Sequence, residues 1–313
     1  MGKYRRRLPQ LAGTLFLTDG GLETTLIFHD GIELPYFAAF DLLKSDKGRA
    51  TLRRYFDRYV AVAEARGVGL VLETPTWRAN ADWAAKLGYD TASLPEANRR
   101  GVDLLLDVRR GHETPATPIV ISGNVGPRGD GYVADRRMTA AEAAAYHGVQ
   151  IATFAQSDAD MCAAFTMNYV DEAIGVARVA QVHSMPIAIS FTVETNGRLP
   201  SGMTLHDAIA ATDDATSGGP AYYMINCAHP THFDAVIGDD PQLRERVRGL
   251  RANASKRSHA ELDASPDLDA GDPRELGAQY GALRTQLPKL TIVGGCCGTD
   301  HRHVDAMGAA LMA

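Results

Sequence analysis

Three cysteines carry the densest chemical information in this chain. Cys296 and Cys297 stand side by side in Gly294-Gly295-Cys296-Cys297-Gly298-Thr299, directly behind the apolar run Leu290-Thr291-Ile292-Val293, and Cys227 closes a second such run, Met224-Ile225-Asn226. Three thiols at strand ends suit one metal ion. Zinc (Zn2+) favours four tetrahedral ligands, so three thiolates leave a position for water or a substrate atom, an open and therefore catalytic arrangement. Structural zinc modules bring their ligands in short CxxC pairs. Here the first ligand lies about seventy residues before the other two, so only a tertiary fold joins them. Successive side chains of a regular strand point to opposite faces. Gly294, Gly295 and Gly298 are therefore expected to supply the irregular turn that aims both sulfurs inward. Cys162, in Ala159-Asp160-Met161-Cys162-Ala163-Ala164, has no such context and reads as core.

The elements that must position these thiols emerge from periodicity. Short apolar runs alternate with longer amphipathic segments, and eight runs read as strands: Leu15 to Thr18, Val68 to Leu72, Pro118 to Ser122, Asp160 to Phe165, Ile187 to Phe191, Tyr222 to Asn226, a weak Val247 to Arg251, and Leu290 to Val293. Helical patterns cover Leu52 to Arg66, Leu94 to Arg110, Thr139 to Ser157, Tyr169 to His183 and Leu205 to Thr212, and Thr139 with Glu142 spells a capping box. Near-continuous apolar strands separated by helices predict a parallel sheet covered on both faces. Eight such units predict an α/β fold of the (β/α)8 TIM barrel type, a single domain over residues 1–313, with an open doubly wound sheet as the alternative. Residues 256–275, rich in Asp, Ser, Ala and Pro, read as an exposed loop or lid. In such a barrel the polar residues just after each strand converge on one mouth.

Composition bounds the remaining possibilities. A 45% hydrophobic content supports a large core, and 22% charged residues make an ordinary solvated surface. A net charge of -6 and a pI near 5.9 argue against nucleic acid as a partner. The one basic block, Arg5-Arg6-Arg7, reads as a solvated terminus, and Pro9, Gly13 and Asp19 interrupt the adjoining stretch before a signal peptide could form. No apolar stretch approaches membrane-spanning length. Four cysteines, two of them adjacent, make a poor disulfide framework, so a cytoplasmic location with reduced thiols is expected, for a monomer or small homo-oligomer acting on small molecules.

The strand ends read, in order, Asp19-Gly20-Gly21-Leu22-Glu23-Thr24, Glu73-Thr74-Pro75-Thr76-Trp77, Asn124-Val125-Gly126-Pro127-Arg128-Gly129, Phe165-Thr166, Ser190-Phe191-Thr192, Asn226-Cys227, Asn253, and Gly294 to Thr299. This series resembles the homocysteine S-methyltransferase family across nearly the whole chain. The Gly-Gly-Cys-Cys-Gly-Thr run paired with the upstream Asn-Cys is its most specific part. The resemblance implies a barrel in which Cys227, Cys296 and Cys297 hold zinc and an acceptor thiol, typically homocysteine, takes the fourth position. A free thiol is mostly protonated at neutral pH and coordination deprotonates it, so it can attack a methyl group without a protein nucleophile. The resemblance also puts Asp19, Gly20 and Gly21 against the amino-acid acceptor. Thr74, Asn124, Asn226 and Asn253 join them as polar candidates for substrate contact.

The chain departs from the family at the fourth strand, where many relatives carry an acid that holds the acceptor's ammonium and this sequence has Phe165 and Thr166. Glu23 and Glu73 are the acids that could take over, and the acceptor pocket is expected to be remodelled. Relatives that use folate carry further domains, so a small onium donor is expected, S-methylmethionine or S-adenosylmethionine before betaine. Aromatic faces hold onium cations, which makes Trp77 the leading donor contact and Trp83, Tyr132, Tyr222 and Tyr223 further candidates. His229 reads as a loop histidine bonded to backbone, and His301 and His303 as the start of the closing helix. From another class comes a redox or metal-responsive binding protein, in which Cys296 and Cys297 oxidise or capture soft metals.

Overall fold

The computed structural model describes residues 1–238 and 240–313. Its strands are β1 (Phe16–Leu17), β2 (Gly69–Glu73), β3 (Ile119–Val125), β4 (Met161–Met167), β5 (Ile187–Phe191), β6 (Tyr222–Asn226), β7 (Val247–Ala252) and β8 (Ile292–Gly295). All pair in parallel with their sequence neighbours, and β8 closes on β1 through Phe16 opposite Ile292 and Leu17 opposite Val293, which makes a closed (β/α)8 barrel. The principal helices are α1 (Asp46–Arg66), α2 (Ser93–His112), α3 (Ala140–Ala155), α4 (Val170–Val182), α5 (Leu205–Thr216), α6 (Pro241–Arg246), α7 (Pro273–Gln286) and α8 (His301–Met312). Among the described residues no helix is long and apolar enough to cross a membrane.

The strands are buried along their length because each feeds two cores. Phe16, Val71, Val120, Met161, Ala163, Ala188, Tyr222, Met224 and Ile292 form one cluster closed from below by Leu8, while alternate residues such as Leu70, Leu72, Ile121, Cys162, Ile189 and Ile225 pack with the helices. This period of two separates barrel interior from helix layer. It places Glu73, Ser122, Phe165, Ser190, Asn226 and Arg251 in the inward series at the C-terminal ends of their strands.

The bounds of β5 and β6 coincide with the apolar runs. Other elements extend further for polar reasons. Helix α1 begins at Asp46, ahead of its apolar pattern, because the Ser45 hydroxyl accepts the Gly48 amide at 3.1 Å. The capping box at α3 forms as the sequence predicts. Arg5 corrects the expectation of a solvated terminus. Its guanidinium is partly buried and donates to the carbonyls of Ala155 (2.7 Å), Ser157 (2.8 Å) and Ala159 (2.6 Å), so it caps the C-terminal end of α3 and ties the N-terminal segment across the barrel floor. The stretch between β7 and α7 is largely exposed and carries one short element of its own. Ser258 and Glu261 cap a short helix, His259–Asp263, and His259 is buried.

Candidate functional site

The mouth of the barrel opens into a cavity of about 470 Å³. It is lined by Cys227, Cys296 and Cys297, the turn Asp19-Gly20-Gly21 with Glu23, and Glu73, Thr74, Trp77, Asn124, Phe165, Thr166, Asn226 and Asn253. Leu262, Asp263, Asp267, Leu268 and Asp269 bring the segment between β7 and α7 over the same opening.

The three sulfurs are brought together by two backbone devices. Cys227 follows β6 in a left-handed conformation, φ 53°, that few side-chain-bearing residues adopt, and its amide bonds the Arg251 carbonyl at 3.1 Å. Behind β8 the chain turns through Cys296 and Cys297, pinned by Cys296 N to Ala252 O (2.8 Å), Ala254 N to Cys297 O (3.0 Å) and the Thr299 hydroxyl to Cys296 O (2.7 Å). The glycines serve this turn in two different ways. Gly298 takes a positive φ of 79°, as expected. Gly294 does not. It is there because a Cβ would strike the Thr18 hydroxyl and stand 2.7 Å from the Asp19 carbonyl oxygen, where β8 meets β1.

Cys227 and Cys296 approach to disulfide-bonding distance, and Cys297 stands free beside them. The physical reason is the convergence itself, since sulfurs placed to share an ion are also placed to bond each other. All three sulfurs lie within 4.8 Å of one another. Zinc–sulfur bonds of about 2.3 Å in a tetrahedron separate ligand sulfurs by about 3.8 Å, so the trio fits such an ion once Cys227 and Cys296 are both thiolates and have moved apart to that spacing. Burial, with the Glu23 carboxylate adding to it, pushes the Cys297 thiol up to about 11. Ionising it near neutral pH therefore calls for a positive charge at the sulfurs themselves. Cys162 is buried in the helix-side core, away from the trio.

Beneath the sulfurs lies an ion pair that the sequence reading missed. Arg251, on β7, donates from Nη1 to Asp19 Oδ1 (2.5 Å) and Thr18 Oγ1 (2.9 Å) and from Nη2 to the Gly20 carbonyl (3.1 Å), with its guanidinium over the Phe165 ring. Tyr55, from α1, donates to Asp19 Oδ2 at 3.0 Å. Both oxygens of Asp19 are thus engaged, and the pair is almost wholly buried. Asn226 is equally occupied. Its Oδ1 accepts from Ser190 Oγ (2.6 Å) and the Thr166 amide (2.9 Å), and its Nδ2 donates to Thr166 Oγ1 (2.9 Å), which fixes Thr166 in its own left-handed conformation. Thr74 joins strands in the same manner, accepting the Asn124 amide at 2.9 Å. Asn124 and Asn253 each keep a buried Oδ1 without a hydrogen-bond partner.

Glu73 and Glu23 are the acids left with capacity. Glu73 is 4% exposed and its Oε2 has no partner. Burial raises its pKa from 4.5 to about 7, against the opposing pull of Arg251. Burial does the same to Glu23, with Asp19 adding to it. A carboxyl protonated in the fold up to about pH 7 but ionised above about 4.5 when unfolded makes stability fall as pH rises through that window. Glu73→Gln is therefore expected to stabilise the ligand-free protein by about 2 kcal/mol at pH 8 and to change little at pH 4. Urea unfolding at both pH values checks this, and an equal effect at the two would refute it.

The aromatic residues divide. Tyr222 points into the lower barrel, with its hydroxyl 3.6 Å from Met161 Sδ, and Tyr223 faces the helices and bonds Asp213, so neither reaches the mouth. Tyr132 does. Its hydroxyl is 4.0 Å from Cys297 Sγ and its ring stacks on His259 at 3.9 Å. The Trp77 and Trp83 rings line the cavity, but the Arg78 guanidinium lies against both. His229, outside the cavity lining, accepts the Thr231 amide, and burial lowers its pKa to about 4.

Comparison with known proteins agrees with this geometry. The family profile described as homocysteine S-methyltransferase matches residues 16–311. Among solved structures the chain is similar to the homocysteine methyltransferase MmuM from Escherichia coli. Its oxidized form superposes with a TM-score of 0.76 at 19% identity over 96% of this chain and 99% of that one. Its metallated form gives 0.72, also at 19% identity, over 95% and 96%.

Proposed function

The chain belongs to the homocysteine S-methyltransferase family and is a methyltransferase; from that premise we propose that it moves a methyl group from a small onium donor, a sulfonium such as S-methylmethionine or S-adenosylmethionine, to homocysteine or a related thiol. The products are methionine or another thioether and the demethylated donor. The convergence of Cys227, Cys296 and Cys297 at the mouth carries this reading. Their soft donor set suits zinc, which when bound would hold the acceptor sulfur in its ionised form.

The acceptor's S–H proton passes to solvent, its sulfur forms the new S–C bond, and the donor's C–S⁺ bond breaks with its electron pair staying on the departing sulfur. Charge is neutralised in this step, so a water-poor cavity favours it. Asp19, held by Arg251 and Tyr55, acts through the Asp19-Gly20-Gly21 turn rather than as a free acid for the acceptor's ammonium. Glu73 and Glu23 take that part instead, because each lines the cavity and neither is paired in it. Thr74, Asn124, Phe165, Thr166, Asn226 and Asn253 shape the wall against which the acceptor lies.

Methyl transfer assayed across a panel of thiols and donors tests the reading. Activity with homocysteine and a sulfonium is expected, together with about one equivalent of zinc, and both should disappear on chelation and return on adding zinc back. Full activity in protein stripped of metal would refute the zinc assignment. Exclusive, efficient use of homocysteine in a Glu73→Gln variant would refute the part given to Glu73.

A further inference from the structure

Arg78 has an electrostatic environment that the fold alone does not require. It is 9% exposed, and its guanidinium lies between two indole rings, 4.1 Å from the Trp77 centroid and 3.9 Å from that of Trp83. Among the described residues it makes one hydrogen bond, from Nη1 to the Gly129 carbonyl at 3.1 Å, and pairs with no carboxylate, while its buried Nε has no partner at all. A guanidinium has five N–H donors, and a buried one is ordinarily satisfied by an acid. Here the ring faces are covered and one corner is bonded. Nε is closed off, so the donors left are those of Nη2 and the second hydrogen of Nη1, and this end of a guanidinium can also meet a carboxylate in a forked contact.

The cavity that Arg78 lines is the one holding the three cysteines. Burial lowers its pKa, opposed through space by Tyr132, Asp130 and Glu23, none of which hydrogen-bonds to it. A fixed cation with a free fork beside two unpaired acids is a surface for a molecule that carries both charges. The Arg78 cation also takes up one face of Trp77 and one of Trp83, and the Lys86 ammonium lies 3.9 Å from the Trp83 centroid as well. The methyl donor's positive end is therefore left to the acids, and its negative end to Arg78.

We propose that Arg78, clamped by Trp77 and Trp83, is the anchor for a carboxylate on the methyl donor, so that the enzyme selects onium compounds that are zwitterions over simple onium cations. This rests on the reading of the site as a thiol methyltransferase with an onium donor. It adds a specificity-determining residue to that reading and a physical reason for its donors to carry a carboxylate.

Trp77 and Trp83 are the only two tryptophans in the chain, so intrinsic fluorescence reports on this one place. Titration with dimethylsulfoniopropionate, with trimethylsulfonium and with homocysteine, each alone, gives three separate binding curves. The carboxylate-bearing sulfonium is expected to produce a saturable change at a concentration at least about tenfold lower than trimethylsulfonium, the ratio that one charge-assisted forked contact supplies. Arg78→Met should remove that preference. Arg78→Lys, which keeps the charge but not the fork, should weaken binding of the carboxylate-bearing compound severalfold, and it decides the matter if the methionine variant does not fold. A preference that survives in a folded variant overturns the proposal. So does a response to homocysteine alone that Arg78→Met abolishes, because the anchor would then belong to the acceptor. If no thiol is methylated by any sulfonium yet the fluorescence preference and its loss in Arg78→Met both appear, the functional reading fails while the anchor stands.

Discussion

Cys297→Ser is expected to bring zinc content to near zero and to lower methyl transfer by well over the 10- to 100-fold that loss of an outer-shell partner typically costs. Cys297 is the member of the trio that is free in the structure, and its thiol is pushed up to about 11. A serine hydroxyl is harder and far less acidic, so it replaces the sulfur in size but not in affinity. The fold should survive, because the turn is held by backbone and threonine contacts, Ala254 N to Cys297 O and Thr299 Oγ1 to Cys296 O, that the substitution leaves in place. Metal analysis and activity on the same sample, with Cys162→Ser as a control that should keep its zinc, check the prediction. A variant that retains both metal and rate would show that the three sulfurs do not act together.

The second large effect is on stability. Arg251→Met is expected to destabilise the protein by about 3–5 kcal/mol, because it strands the Asp19 carboxylate in a buried position with only Tyr55 and the neighbouring turn for company. For a chain of this length that corresponds to a fall in Tm of about 5–8 °C. Asp19→Asn combined with Arg251→Met should recover much of the loss, since no unpaired charge remains. Thermal unfolding of the single and double variants forms a double-mutant cycle. If the double variant were as unstable as the sum of the two single variants, the ion pair would not be the source of the effect.

This pair marks the boundary of what the sequence discloses. The β7 segment reads as a weak strand because Arg248 and Arg251 interrupt its apolar run, and Arg251 is the very residue that reaches across the barrel to Asp19, 232 positions away. A charge at an inward position of a buried strand requires a buried acid, and Asp19 is in plain view at the end of β1, but no local pattern joins them. Arg78 is hidden for a related reason. Its partners are two flanking indoles, so Trp77 reads as an open aromatic face until the loop folds the guanidinium against it. The cysteine trio is legible because glycine-flanked thiols behind apolar runs are rare, and the eight strands because period-two burial on both faces leaves continuous apolar runs. Helix starts set by side-chain caps, such as Ser45, and the short helix at His259 depend on a few polar atoms and fall below what periodicity detects.

The closing of the barrel by β8 on β1 bears on how the enzyme is made. Cys227 leaves the ribosome 69 residues before Cys296, an interval of roughly 3–14 s at ordinary rates of elongation. Through that interval it is a solitary thiol with no ligand partners, and a nascent chain that stops short of the final strand has no place to load metal. Convergence of the three sulfurs therefore waits on β8, and an ion held by all three would report that the two ends of the sheet have met.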